Sequence, residues 1–151
     1  MLFALIAMTA ALVFVLIQFR RTLIRRSSET NKFKYFNDVY SRWLKNRNDN
    51  KYLADYLKAY GYNTVAVYGL GKMGQRLCEE LSDSDVKIRY IIDNYTTNTF
   101  KNIKIYKLIS GLEPVDVIIV TVSQEYEKIE NELRNILSYP VLALDSIIYG
   151  L

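Results

Sequence analysis

Histidine is absent from this chain of 151 residues, which removes the commonest general base and the commonest metal ligand. Cys78 is the single cysteine, so neither an intrachain disulfide nor a thiolate metal cluster can form. Beside an apolar helix position it reads as a small packed side chain in a reducing compartment. Clustered carboxylates with metal-ligand spacing, a Gly-x-Ser-x-Gly elbow and a Walker-type Lys-Ser or Lys-Thr ending are all missing. The lone Tyr-x-x-x-Lys, Tyr68 to Lys72, straddles a strand and a turn, whereas reductive chemistry needs that pair on one helix face. The sequence therefore names no catalytic residue and no metal site.

Charge is unevenly supplied. Residues 20–60 carry eleven Lys and Arg against four Asp and Glu, a balance of +7, whereas residues 61–151 carry nine against twelve, a balance of −3. A nucleic-acid binder would need the basic excess on its folded body, so that class of partner is excluded.

Residues 2–19 contain no charge at all, and only Thr9 and Gln18 are polar among the eighteen. At about 1.5 Å per residue, such a helix spans about 27 Å, enough for the hydrocarbon core of a bilayer. Arg20, Arg21, Arg25 and Arg26 follow immediately, and positive charge stays on the cytoplasmic side. A cleaved signal peptide fits poorly, because no basic segment precedes the run and no small-residue cleavage site ends it. The expectation is a transmembrane helix over residues 1–19, amino terminus outside, and a basic juxtamembrane linker over 20–30.

Amphipathic helices are expected over residues 31–61. Phe33, Phe36, Tyr40, Trp43 and Leu44 recur at helical spacing, and a second helix, capped by Asp49 or Asn50, places Leu53, Tyr56, Leu57 and Tyr60 on one face before Gly61 stops it. The aromatic stripe suits a lid on the following domain, a helix lying among lipid headgroups, or a docking surface for a protein.

The remainder, residues 62–151, is organised around residues 64–81, where a short apolar run breaks at Gly69 and restarts as a helical pattern. Gly69, Gly71 and Gly74 have the spacing G-x-G-x-x-G, the phosphate-binding turn of nucleotide-binding α/β domains. Val65 and Val67 belong to the preceding strand, and Met73, Leu77 and Leu81 form the buried stripe of the following helix. An anion would sit on unpaired N–H groups at the positive end of that helix, with Lys72 and Arg76 in its first turns. Glu79 and Glu80 at its other end oppose the macrodipole, with an Arg76–Glu80 pair at i+4 as the simplest alternative account.

A second strand, residues 86–92, ends in Asp93, nineteen positions past Gly74, where such a fold places the carboxylate that receives ribose hydroxyls. Further strands are expected over residues 103–106, 115–122 and 141–144, and a helix with Tyr126, Ile129, Leu133 and Ile136 or Leu137 as its apolar stripe, capped by Ser123. Thr121 and Ser123 fall at the carboxyl end of the central strand, where open α/β sheets bind ligands. Strands alternating with helices predict a parallel, Rossmann-like sheet of order 3-2-1-4-5. The expected nucleotide-contacting set is Gly69, Gly71, Lys72, Met73, Gly74, Asp93, Asn94, Thr121 and Ser123.

From Trp43 to Tyr149 the chain resembles a Rossmann-type nucleotide-binding domain of bacterial surface-polysaccharide systems. It is similar to the amino-terminal domains of membrane-bound nucleotide-sugar dehydratases and epimerases and of sugar acyltransferases, and to domains attached to glycosyltransferases. The VAVYGLGKMG turn, the IRYIIDN strand and the VDVIIVTVS strand carry the likeness. The resemblance implies a single-pass protein of a bacterial plasma membrane whose cytosolic domain binds NAD(P) or a nucleotide sugar. Its partners would be the bilayer, through residues 2–19, a membrane-associated polysaccharide enzyme, and a second copy of itself. A small NAD(P)-dependent enzyme completed by a partner, or a structural domain that binds nothing, would account for the same residues.

Overall fold

The computed structural model describes residues 2–96, 98–109 and 111–151, and the side chains of these except at 2–7, 9, 10 and 26–28. The chain divides into two compact units, Met1–Ser41 and Arg42–Leu151.

One helix, α1 (Leu2–Asn48), runs from the first unit into the start of the second. The segment 20–30, expected as a linker, is helical throughout. The described apolar side chains of α1 from Leu12 to Ile17, and Phe19, are exposed. Among the described residues no helix is long and apolar enough to cross a membrane, and the run expected to do so reaches into residues 2–7, 9 and 10, which lie outside the described side chains. The aromatic stripe is divided. Phe33, Phe36 and Leu44 are exposed, and the positions that bury are Val39, Trp43 and Asn46.

The second unit is a mixed α/β domain, a six-stranded and mostly parallel sheet flanked by helices. Its elements are α2 (Leu53–Ala59), β1 (Thr64–Tyr68), α3 (Lys72–Ser82), β2 (Lys87–Ile92), β3 (Thr99–Phe100), β4 (Ile103–Tyr106), β5 (Val117–Val120), α4 (Tyr126–Ile136), β6 (Val141–Ala143) and α5 (Leu144–Gly150). The sheet order is β3-β4-β2-β1-β5-β6. It differs from the five-stranded 3-2-1-4-5 expectation by an added edge strand, β3, which pairs antiparallel with β4. The two-residue loop between them is Lys101 and Asn102, both at positive φ (48° and 67°), the backbone of a hairpin turn whose twist matches its strands. The strands expected from sequence occupy β4-β2-β1-β5-β6, all in parallel pairs.

β5 shows why a continuous apolar run marks a central strand. All four of its residues are buried, because both faces of the sheet are covered there. On one face Ala66, Tyr90, Ile92, Ile118, Val120 and Val141 pack with Ile129 and Leu133 of α4 and with Leu112 and Val115 of the β4–β5 connection. Leu137, not the exposed Ile136, completes the α4 stripe. α3 presents Met73, Leu77, Cys78 and Leu81 as its buried side.

Several helix starts differ from expectation. α2 begins after Tyr52, not after Asp49 or Asn50, and its first N–H, that of Leu53, is received by Glu80 Oε1 at 2.9 Å. It ends as expected. Gly61 (φ 79°) donates its N–H to Lys58 O and Tyr62 donates to Leu57 O, a Schellman pair. Ser123 opens a short 3₁₀ turn and caps nothing, and α4 and α5 likewise start without a side-chain cap.

Candidate functional site

The carboxyl end of β1 turns into α3 through Gly69, Leu70 and Gly71, and the glycines of the trio differ in what surrounds them. Gly69 has φ 92°, a backbone that side-chain-bearing residues rarely adopt, and a Cβ there would lie 2.8 Å from Val122 Cγ2 and 2.9 Å from Thr121 Oγ1. At Gly74 a Cβ would come within 2.0 Å of the Gly69 carbonyl oxygen, so the third glycine lets the helix close on the turn itself. At Gly71 a Cβ would meet nothing within 4 Å. This position, the N-cap of α3, faces open space, and no side chain caps the helix. The first intrahelical bond is Gln75 N to Gly71 O, which leaves the N–H groups of Lys72, Met73 and Gly74 among the orphan donors of a helix start.

Four other expected residues gather round this turn. Gly69 donates its N–H to Ile92 O at 2.8 Å, which ties the turn to β2. Thr121 is buried, and its hydroxyl lies 2.9 Å from Gly69 O and 3.1 Å from Tyr68 O, so it holds the turn and has no free donor for a ligand. Asp93 Oδ2 receives the Leu70 N–H at 2.7 Å, and Oδ1 receives those of Tyr95 and Thr96 at 2.9 and 2.7 Å. Burial pushes the Asp93 carboxyl up, but these backbone donors and the Thr96 side chain outweigh it and leave it below the ordinary carboxylate value. Lys72 and Asn94 are exposed.

Two expected residues stand apart. Met73 is buried in the core-facing stripe of α3. Ser123 lines a cleft of about 690 Å³ with Tyr126, Leu142 and Asp145, none of them part of the turn.

The reversed charges of α3 have a tertiary explanation. Arg76 pairs with Glu79 at i+3, with 2.6 Å between them, and not with Glu80. The Glu80 side chain, only 4% exposed, receives the Trp43 indole N–H at 2.6 Å and the Leu53 N–H at 2.9 Å, with Arg47 at 3.3 Å. No local pattern signals this junction, because its partners are 37 and 27 residues away. It forms part of a cleft of about 570 Å³ on the C-terminal half of α3, whose cations Arg47, Lys58 and Arg76 are already paired with Glu80, Asp85 and Glu79. Cys78 is buried, and burial raises its thiol to about 11, so it is inert at neutral pH. Among the described residues no cluster could hold a metal ion.

The arrangement defines an α/β domain with a glycine-rich strand–turn–helix at the carboxyl edge of a parallel sheet. The chain belongs to the family of C2185-like N-terminal domains, whose model matches residues 61–141 and so takes in the turn, Asp93 and Thr121. No curated protein and no solved structure matches it.

Proposed function

We propose that this chain is a membrane-tethered module whose Rossmann-like domain binds a nucleotide or nucleotide sugar on the cytosolic side, as an accessory to surface-polysaccharide biosynthesis or glycosyl transfer. The observation that carries the reading is the uncapped start of α3, where Gly71 opens to solvent while Gly69 and Gly74 are held by contacts only glycine permits. A diphosphate fits that end: the N–H groups of Lys72, Met73 and Gly74 would receive it, and the exposed Lys72 would add charge. At the ribose end the fit is poorer, because the oxygens of Asp93 are engaged. The absence of histidine and of an acid/base pair favours a binding role over catalysis. The tether would be residues 2–19, with Arg20, Arg21 and Arg25 holding the domain on the cytosolic side.

Thermal denaturation of the full chain in detergent, with NAD, NADP, UDP-sugars and adenine nucleotides in turn, tests the binding reading. A ligand at about 100 times its dissociation constant stabilises by about 2.7 kcal/mol, several degrees for a domain of this size. No shift with any of them at millimolar concentration rejects it.

A further inference from the structure

We infer that residues 20–26 of α1 form a girdle of arginines that binds the phosphates of anionic phospholipids, the class of lipid whose headgroup carries a net negative charge. The inference rests on the membrane-tether reading above and names the lipid that the tether selects.

Four of the nine arginines of the chain, Arg20, Arg21, Arg25 and Arg26, fall in these seven positions, and residues 2–28 hold no carboxylate to answer them. The segment is helical, and Arg20, Arg21 and Arg25 are exposed, none of them paired with a described carboxylate. At about 100° per residue, the four positions stand at about 0°, 100°, 140° and 240° round the helix. A protein or nucleic acid laid along one side covers about 100° of a helix, so no such partner meets them all. Headgroups surround a helix that passes between them.

Depth fits as well. The two arginine pairs are five residues apart, a rise of about 7.5 Å, and one headgroup layer is about 5–7.5 Å thick. Between the pairs, Leu23 and Ile24 are 50% and 64% exposed. A soluble polyanion would neutralise the arginines and leave these two in water, whereas at the hydrocarbon boundary aliphatic side chains sink and long cationic ones reach the phosphates. The apolar run that ends at the exposed Phe19 continues directly into this layer. Charge balance then chooses the lipid. A zwitterionic headgroup brings an ammonium group with each phosphate, and Glu29 is the only carboxylate before Asp38 that could receive it. An anionic headgroup needs no such partner.

The test uses the full chain, reconstituted in vesicles of equal parts phosphatidylglycerol and phosphatidylcholine, extracted in mild detergent and weighed with its retained lipid by native mass spectrometry. Wild type should retain phosphatidylglycerol over phosphatidylcholine about fivefold or more, the effect of a single arginine held at an anionic surface. The variant carrying Arg20→Gln, Arg21→Gln, Arg25→Gln and Arg26→Gln should retain the two lipids equally, and Arg→Lys at the same four positions should keep the preference, because charge makes the selection. Sodium phosphate and sodium chloride at equal ionic strength should weaken it alike. Equal retention by wild type overturns the inference, as does an Arg→Gln variant that still prefers phosphatidylglycerol, an Arg→Lys variant that does not, or displacement by phosphate alone, which would make a soluble phosphate the occupant. Each of those outcomes leaves the tether standing. If wild type does not float with the vesicles at all, the tether reading falls and this inference falls with it.

Discussion

Trp43 donates its indole N–H to Glu80 Oε2 at 2.6 Å, so the last turns of α1 are fixed to α3 through a carboxylate that also serves as the missing cap of α2. A buried carboxylate is tolerated only when its oxygens are filled, and here two N–H groups and the Arg47 guanidinium fill them.

Removing that carboxylate strands its donors. Glu80→Ala should lower the stability of the domain by about 1–3 kcal/mol for each buried donor left unpaired. Trp43→Ala should do at least as much, because its ring is only 5% exposed. Thermal denaturation of the three proteins checks this. A melting temperature unchanged in Trp43→Ala would mean that the indole is a docking surface for a partner and not part of this domain.

The second and third glycines of the turn should respond in opposite ways. Gly74→Ala places a methyl group 2.0 Å from a backbone oxygen that cannot move aside, so the helix must shift, at about 1–3 kcal/mol or more. Gly71→Ala meets open space at φ −65° and should cost no more than about 1 kcal/mol, the preference of an N-cap for glycine over alanine. Denaturant unfolding separates the two variants, and equal midpoints would contradict the packing described.

Legibility from sequence followed the range of the interactions. The glycine trio, β1, α3 and β5 are set by steric rules and periodicities that act within a few residues, and they stand out in the string. The Schellman end of α2 at Gly61 is equally local. Glu80 could not be read this way, because its misplaced charge on α3 makes sense only once Trp43 and Leu53 are folded against it. Asp93 was legible as a position at the end of β2, but its partner Leu70 is set by the tertiary approach of two loops. The β3–β4 hairpin lacked the usual glycine, with Lys101 and Asn102 in the left-handed region. Of the aromatic stripe, Trp43 buries with Val39 and Asn46 whereas Phe33 and Phe36 are exposed, a division that helical spacing alone does not reveal.

Acid should loosen the turn through Asp93. Its carboxyl is held below the ordinary value, so between the folded and unfolded pKa the unfolded chain binds more protons, and stability rises with pH there. The contribution is fully present above the unfolded value of about 4 and is lost as pH falls through the folded one. Asp116, which receives the Asn63 and Thr64 N–H groups, and Asp85, beside Lys58, are held low as well and act in the same window. Asp93→Asn should therefore flatten part of the fall in melting temperature between pH 5 and pH 2 and destabilise at neutral pH. An unchanged slope in that variant would show that Asp93 does not hold Leu70.

Membrane attachment is predicted from the exposure of α1. Consecutive residues Leu12, Val13, Phe14, Val15, Leu16 and Ile17 are all exposed, so the helix there has no polar side to turn toward water. A partner helix would cover one stripe, whereas a bilayer covers the whole circumference. A charge placed in the run should oppose insertion by about 2.5–3.5 kcal/mol at the helix centre, so Leu12→Arg should shift the chain toward the salt-extractable fraction. Wild type should resist alkaline extraction, and a reporter fused after Leu151 should be active only if it works in the cytosol. An active secreted-side reporter would reverse the orientation, and full extraction of wild type by alkali would remove the tether from the proposed function while leaving the glycine turn untouched.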